Sequence, residues 1–156
     1  MNQKVIDLLN EARARELTAI SQYMIHHYEL EDSDFGKLAS RLKETAIAEM
    51  KHAEKLAERI LFLHGVPTSQ PDAIPKKGQE VEEMLATDVA LEAQAIAMYN
   101  EAAAACAAEK DQRSKDLFEE LLGEEEDHLD FFERVKDHID KMGPAYLVTL
   151  TGKTSK

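Results

Sequence analysis

Two short stretches carry side chains that could do chemistry: Glu49-Met50-Lys51-His52 and Glu125-Glu126-Asp127-His128. In each, a glutamate precedes a histidine by three positions. On an α-helix that spacing sets carboxylate and imidazole side by side on one face. The face is an unusual place for them. Around the first pair the inward positions read Leu38, Leu42, Thr45, Glu49, His52, Leu56, Ile60 and Leu63; around the second they read Phe118, Leu121, Glu125, His128, Phe132, Val135 and Ile139. Both ionisable pairs interrupt stripes that otherwise read as core. Burying an isolated charge is costly, so something must compensate these groups, and a metal ion is the natural candidate.

An internal repeat enlarges the set. A shift of 76 residues carries Glu16 onto Glu92, Tyr23 onto Tyr99, Glu49 onto Glu125 and His52 onto His128. Within each half the lone glutamate precedes the Glu-x-x-His by the same 33 residues. Two related halves packed about a pseudo-twofold axis bring Glu16, Glu49, His52, Glu92, Glu125 and His128 together at mid-core. A glutamate from each of two helices, with Glu-x-x-His from each of the other two, is the ligand set of a di-iron or di-manganese carboxylate site. Carboxylate oxygen and imidazole nitrogen suit iron and manganese, and four carboxylates match the charge of two divalent cations. With no cysteine in the set, a structural zinc site is not indicated. A single Glu-x-x-His is common on solvated helices, whereas two copies with equally spaced inward glutamates are specific. The competing explanation, buried salt bridges, needs cationic partners that these faces scarcely offer.

The elements that must position these residues are helices. Apolar spacing in steps of three and four predicts helices over about 2–31, 35–64, 80–109 and 113–142, with a short helix over about 145–150. On the first, the inward stripe reads Ile6, Leu9, Arg13, Glu16, Ile20, Tyr23 and His27. Asp32-Ser33-Asp34 breaks it and offers Ser33 or Asp34 as N-cap of the second. Gly65-Val66-Pro67 stops the second helix, and Pro67, Pro71 and Pro75 keep residues 65–80 extended. Gly143-Pro144 ends the fourth. Two helical hairpins joined by a long connection describe an all-α, ferritin-like four-helix bundle with one long crossover and a short C-terminal fifth helix, a single domain over 1–156. Sixteen extended residues reach roughly 50 Å, enough to travel beside a thirty-residue helix of about 45 Å.

Composition narrows the classes. The chain has 156 residues, 44% hydrophobic and 32% charged, with a formal net charge of −12. Nucleic acid is an improbable partner, because phosphate binding requires clustered Lys and Arg. An acidic chain attracts cations by its field. No apolar run is long enough to span a membrane, and Met1 to Leu9 do not read as a secretory signal. A single cysteine fits a reducing cytoplasmic location, and Cys106 reads as a small core filler. His26, His64 and His138 read as surface or helix-end residues. His27, nearer the inward stripe, is a candidate supporting partner of a ligand.

Several stretches resemble bacterioferritin: Glu16-Leu17-Thr18-Ala19-Ile20-Ser21-Gln22-Tyr23, Glu49-Met50-Lys51-His52-Ala53-Glu54, Arg59-Ile60-Leu61-Phe62-Leu63 and Glu80-Val81-Glu82-Glu83-Met84-Leu85. The similarity runs through Lys141-Met142-Gly143. It implies iron storage and detoxification: a ferroxidase that oxidises Fe(II) with oxygen or peroxide at an intrasubunit centre of two non-haem iron ions. The ferric mineral would be deposited inside a homo-oligomeric cage of twenty-four subunits built from dimers. By the family pattern Glu16, Glu49, His52, Glu92, Glu125 and His128 are the ligands, Glu49 and Glu125 bridge, and Tyr23 stands beside the iron pair. The resemblance further implies that Met50, one from each of two subunits, is an axial ligand of a shared haem. A small electron-donor protein would then be a partner for iron release. Two positions depart from the family: an inner-surface His and Asp preceding the first Glu-x-x-His are here Glu44 and Ala48. The alternative is a di-metal peroxidase or catalase on the same bundle, rubrerythrin-like or manganese catalase-like. Rubrerythrin would normally add paired Cys-x-x-Cys motifs, which this chain lacks.

Overall fold

Long runs rich in Ala, Leu, Glu and Lys, free of interior Pro, build the helices of the computed structural model, which describes residues 2–152. Met1 and residues 153–156, the ends of the expected domain, lie outside the described residues. The elements are α1 (Gln3–Asp32), α2 (Gly36–Phe62), α3 (Val81–Ala108), α4 (Gln112–Met142) and α5 (Pro144–Thr149). The expected boundaries agree to within two residues. Asn2 caps α1 through Val5 N, and Asp111 caps α4 through Ser114 N. Glu80 and Glu83 form a reciprocal capping box at the start of α3. The expected cap of α2 is different. Phe35 occupies that position without a side-chain bond, because Asp34 turns the chain at φ 70° and Ser33 instead donates its hydroxyl back to Glu29 O.

α1 pairs with α2 and α3 with α4 as two hairpins, and the hairpins meet mainly where α1 lies against α3, while α2 and α4 approach less closely. Buried apolar residues form two clusters. One holds Leu9, Leu56, Ile60, Tyr99, Phe118 and Leu121; the other holds Tyr23, Leu30, Leu42, Leu85, Phe132 and Ile139. Each large side chain so buried contributes about 1.5–3 kcal/mol. The ionisable set falls between the two clusters, so apolar packing holds the bundle from both ends and leaves the middle for chemistry.

The first helix is rotated slightly from the expected stripe. Ala12, Glu16, Ala19 and Tyr23 are buried, while Arg13 and Ile20 sit at the edge. Arg13 is at the edge because its guanidinium donates to the backbone of Ala53 and Thr68. The crossover is pinned along α1 by a series of such bonds. Asn10 donates to Val66 O, Thr18 to Asp72, and Gln22 exchanges bonds with the backbone of Lys76. Gly65 makes the first turn of the crossover possible, since a Cβ there would meet Ile6 Cγ2 at 2.7 Å. At the far end Leu150 O accepts from Lys37 N, and Phe35 and Gly152 form an isolated bridge, tying the end of α5 to the α1–α2 turn.

Candidate metal centre

Each of the four long helices delivers part of the set at the same level. Glu16 from α1, Glu49 and His52 from α2, Glu92 from α3 and Glu125 from α4 are each at most 1% exposed; His128 from α4 is 16% exposed. The structure brings all six sequence-predicted residues into one place. Their ligand atoms form two groups, Glu16–Glu49–His52–Glu125 and Glu49–Glu92–Glu125–His128, with atoms of each group within 4.8 Å of one another. Glu49 and Glu125 belong to both. His52 Nδ1 lies 2.7 Å from Glu16, 3.2 Å from Glu49 and 3.4 Å from Glu125. His128 Nδ1 lies 3.1 Å from Glu125, 3.4 Å from Glu49 and 3.6 Å from Glu92. The two rings stack with centroids 6.1 Å apart.

Two tyrosines brace the outer carboxylates. Tyr23 donates its hydroxyl to Glu92 Oε1, and Tyr99 donates to Glu16 Oε1 at 2.7 Å. Each tyrosine reaches the glutamate of the opposite half of the repeat. Tyr23 was expected beside the site; Tyr99 was not singled out, although the 76-residue shift had already paired the two.

The electrostatics are those of a cluster held together by protons. Burial raises Glu16 to about 8, with the Glu49 charge adding to the effect, and raises Glu92 to about 7. Glu125 is pushed well above the carboxylate range by burial and then by Glu16 and Glu49. Burial opposes ionisation of Glu49 too, but its contacts with His128 and His52 prevail and hold it at about 2. Burial disfavours charge on the imidazoles, yet the surrounding carboxylates outweigh it, lifting His52 to about 11 and His128 to about 10. Burial holds both tyrosine hydroxyls protonated well beyond their usual range.

The residues fit a metal pair by a direct observation. Both carboxylate oxygens of Glu49 and of Glu125, Glu92 Oε2 and His128 Nδ1 are buried without any hydrogen-bond partner. Buried polar atoms in folded proteins are ordinarily satisfied, so a convergent group of such atoms has the chemistry to hold a metal pair. Oxygen-rich coordination with one imidazole per metal position suits iron or manganese.

Other expectations meet the structure as follows. Cys106 is a fully buried core residue. His64 and His138 are exposed, as expected, but His26 is not. It is wholly buried, with Nδ1 2.9 Å from Asp88 and Nε2 within 3.0 Å of Gln22 and 2.9 Å of Gln79. Gln22 comes from α1 itself, but Asp88 comes from α3 and Gln79 from the crossover, which the α1 pattern alone cannot reveal. His27 bonds Ala39 O instead of supporting a ligand. Met50 is 54% exposed, at a surface groove of about 380 Å³ lined with Leu17, Ile20, Ala53 and Ala57. Leu61 and Phe62 are 59% and 71% exposed.

A helical bundle enclosing two Glu-x-x-His pairs and two further glutamates is the ferritin-like class of carboxylate protein. The family model described as Ferritin-like domain matches residues 6–142. Within that class the chain belongs to the bacterioferritins. It is 42% identical over 152 residues to the bacterioferritin of Desulfovibrio desulfuricans, covering 97% of this chain and 85% of the relative. With that of Brucella melitensis it shares 42% identity over 140 residues, 90% of this chain and 87% of the relative. Among solved structures, the D. desulfuricans bacterioferritin, whose diiron site is seen in different catalytic states, superimposes with a TM-score of 0.96 at 42% identity, covering 99% and 90% of the two chains. The Rhodobacter capsulatus bacterioferritin, with a metal-free dinuclear site and a haem iron in a crystallographic special position, gives 0.94 at 39% identity and covers 100% and 98%.

Proposed function

We propose that the chain is an iron-storage subunit that oxidises Fe(II) at the centre formed by Glu16, Glu49, His52, Glu92, Glu125 and His128. The observation that carries this reading is the convergence of orphaned buried carboxylate and imidazole atoms between two apolar clusters. Bound iron supplies the electrons that reduce oxygen or peroxide. The protein's part is binding and preorganisation. Glu49 and Glu125, shared by both ligand groups, would serve both metal positions, and Glu16 with His52 and Glu92 with His128 would complete the two ends. Each outer glutamate has one oxygen engaged by a tyrosine hydroxyl, which limits how it can swing as metal ions arrive. Tyr23, buried against Glu92, is the catalytic tyrosine of this reading. Apart from Glu49, which is already ionised, the ligands bind only after losing the protons that hold the metal-free cluster together.

The wider reading has one ferritin-like di-iron domain over 1–156, a homo-oligomeric cage of twenty-four chains built from dimers, and a cytoplasmic location. Among the described residues no helix is long and apolar enough to cross a membrane. Met50, together with its counterpart from a second subunit, would hold a haem through its thioether sulfur. Its exposed thioether stands at a groove whose floor is largely apolar, with Arg13 and Glu54 at its edge, which suits a flat apolar macrocycle. The haem would conduct electrons from a small donor protein to release stored iron. A rubrerythrin-like or manganese catalase-like enzyme would share the site but would not require a hollow particle.

The test is Fe(II) oxidation followed by absorbance. Glu16→Ala, Glu92→Ala, or His52→Ala combined with His128→Ala should abolish the fast phase, and circular dichroism of each variant separates loss of the site from loss of the bundle. Wild-type rates in the double histidine variant would overturn the assignment.

A further inference from the structure

The two ends of the centre are unequal, and the inequality lies just outside the ligands. His52 faces the cluster with Nδ1, so its Nε2 points the other way. That nitrogen is buried and has no hydrogen-bond partner, and Glu124 Oε1 lies 3.3 Å from it. Glu124 is half-exposed on α4, so a small side-chain rotation converts the approach into a hydrogen bond. Among the described residues no lysine or arginine is paired with Glu124; Lys55 on α2 is paired instead with Glu120 at 2.8 Å. The 76-residue repeat takes Ala48 onto Glu124. The residue that would stand behind His128 as Glu124 stands behind His52 is therefore a methyl group. Among the described residues no carboxylate lies within ion-pair distance of His128 Nε2, and the His128 side chain is 16% exposed where that of His52 is 1%.

Resting on the di-metal reading above, we propose that Glu124 is a positioning residue for His52, and that it makes the Glu16–His52 end the tight metal position and the Glu92–His128 end the exchangeable one. A carboxylate accepting the far N–H of a ligating imidazole fixes the ring's tautomer and direction and increases its basicity toward the metal. Glu124 stands within reach to give His52 that support; His128, its ring nearer solvent, has no carboxylate so placed. The first divalent ion is held at the backed end. The second binds at the open end, and ions leave from there.

The experiment is calorimetric and spectroscopic titration of metal-free assembled protein with Co(II). Repulsion between two cations separates the binding steps in any such site, so the deciding quantity is the change on substitution. Glu124→Ala should weaken the tighter step by about 10–100-fold and leave the weaker step in place, the magnitude seen when the partner of a ligating histidine is lost. Glu124→Gln, which keeps an acceptor oxygen, should recover part of it. Ala48→Glu should tighten the weaker step and shift its Co(II) absorption. His128→Ala should remove the weaker step alone, with the effect of Glu124→Ala persisting in that background. The proposal is overturned if Glu124→Ala leaves both steps unchanged or weakens them equally. If wild type binds no Co(II), or Glu16→Ala binds as wild type does, the di-metal reading itself fails, and that result is distinguishable from the first.

Discussion

Loading the metal-free protein with two redox-inert divalent cations should release about four to five protons per chain at about pH 6.5. The number comes from the cluster. Glu16, Glu92, Glu125, His52 and His128 all have proton affinities raised by burial or by one another, whereas Glu49 is already ionised. Every one of them must present an unprotonated atom to a metal. Glu92, at about 7, is only partly protonated at that pH, which takes the count below five. Calorimetry in two buffers of different ionisation enthalpy measures the release. One proton or fewer per metal pair would refute the picture of a proton-held cluster.

The same groups set a pH dependence of stability. Glu16 and Glu92 keep protons in the folded state that the unfolded chain releases near 4.5, so metal-free stability falls as pH rises from there through about 7 and 8. The contribution of His52 and His128 is fully present below their unfolded value of 6.5 and is lost as pH rises through about 10 and 11. Both act in one direction, each retained proton corresponding to about 1.4 kcal/mol per pH unit. Metal-loaded protein has lost these protons, so the gap in urea midpoint between loaded and metal-free protein should widen between about pH 5 and pH 8. A gap that narrows would refute the argument.

Three further outcomes are expected. Met50→Leu should lose the haem absorption of reconstituted protein while keeping Fe(II) oxidation, because Met50 lies outside the ligand cluster; an unchanged haem spectrum would leave Met50 a packing residue only. Light scattering should find a large hollow oligomer over a range of salt; a monomer or simple dimer would remove the storage reading and favour the peroxidase or catalase alternative. Phe118→Ala, which empties a fully buried position whose ring centroid lies 5.7 Å from that of Tyr99, should cost about 3–5 kcal/mol in chemical unfolding and loosen the Glu16 contact.

Much of the centre was legible because its information is local or repeated. A three-residue Glu–His spacing means one helical face wherever the helix goes, and an apolar stripe around it means that the face is buried. The repeat then relates the two halves without coordinates. Helix ends were legible where Gly, Pro or a capping side chain marks them. They were misread at Ser33 and Asp34, where two cap-forming residues compete and the turn's left-handed Asp34 decides which is used.

What the sequence by itself determined was the helices, their inward faces and the six convergent residues, since these follow from periodicity along one chain. Tertiary structure alone decided which groups meet across helices. Tyr23 of the first half reaches Glu92 of the second, and Tyr99 returns to Glu16, because α1 lies against α3. His26 is buried because Asp88 and Gln79 arrive from α3 and the crossover to satisfy it, and Arg13 sits at the bundle's edge because backbone carbonyls are there to accept its protons. In the sequence Glu124 is one charge of the acidic run Glu124 to Asp127, and only the packing of α2 against α4 sets His52 Nε2 3.3 Å from it. The physical reason is common to all of these. A polar side chain can be buried only where partners satisfy it, and the partners come from parts of the chain that no single-helix pattern contains.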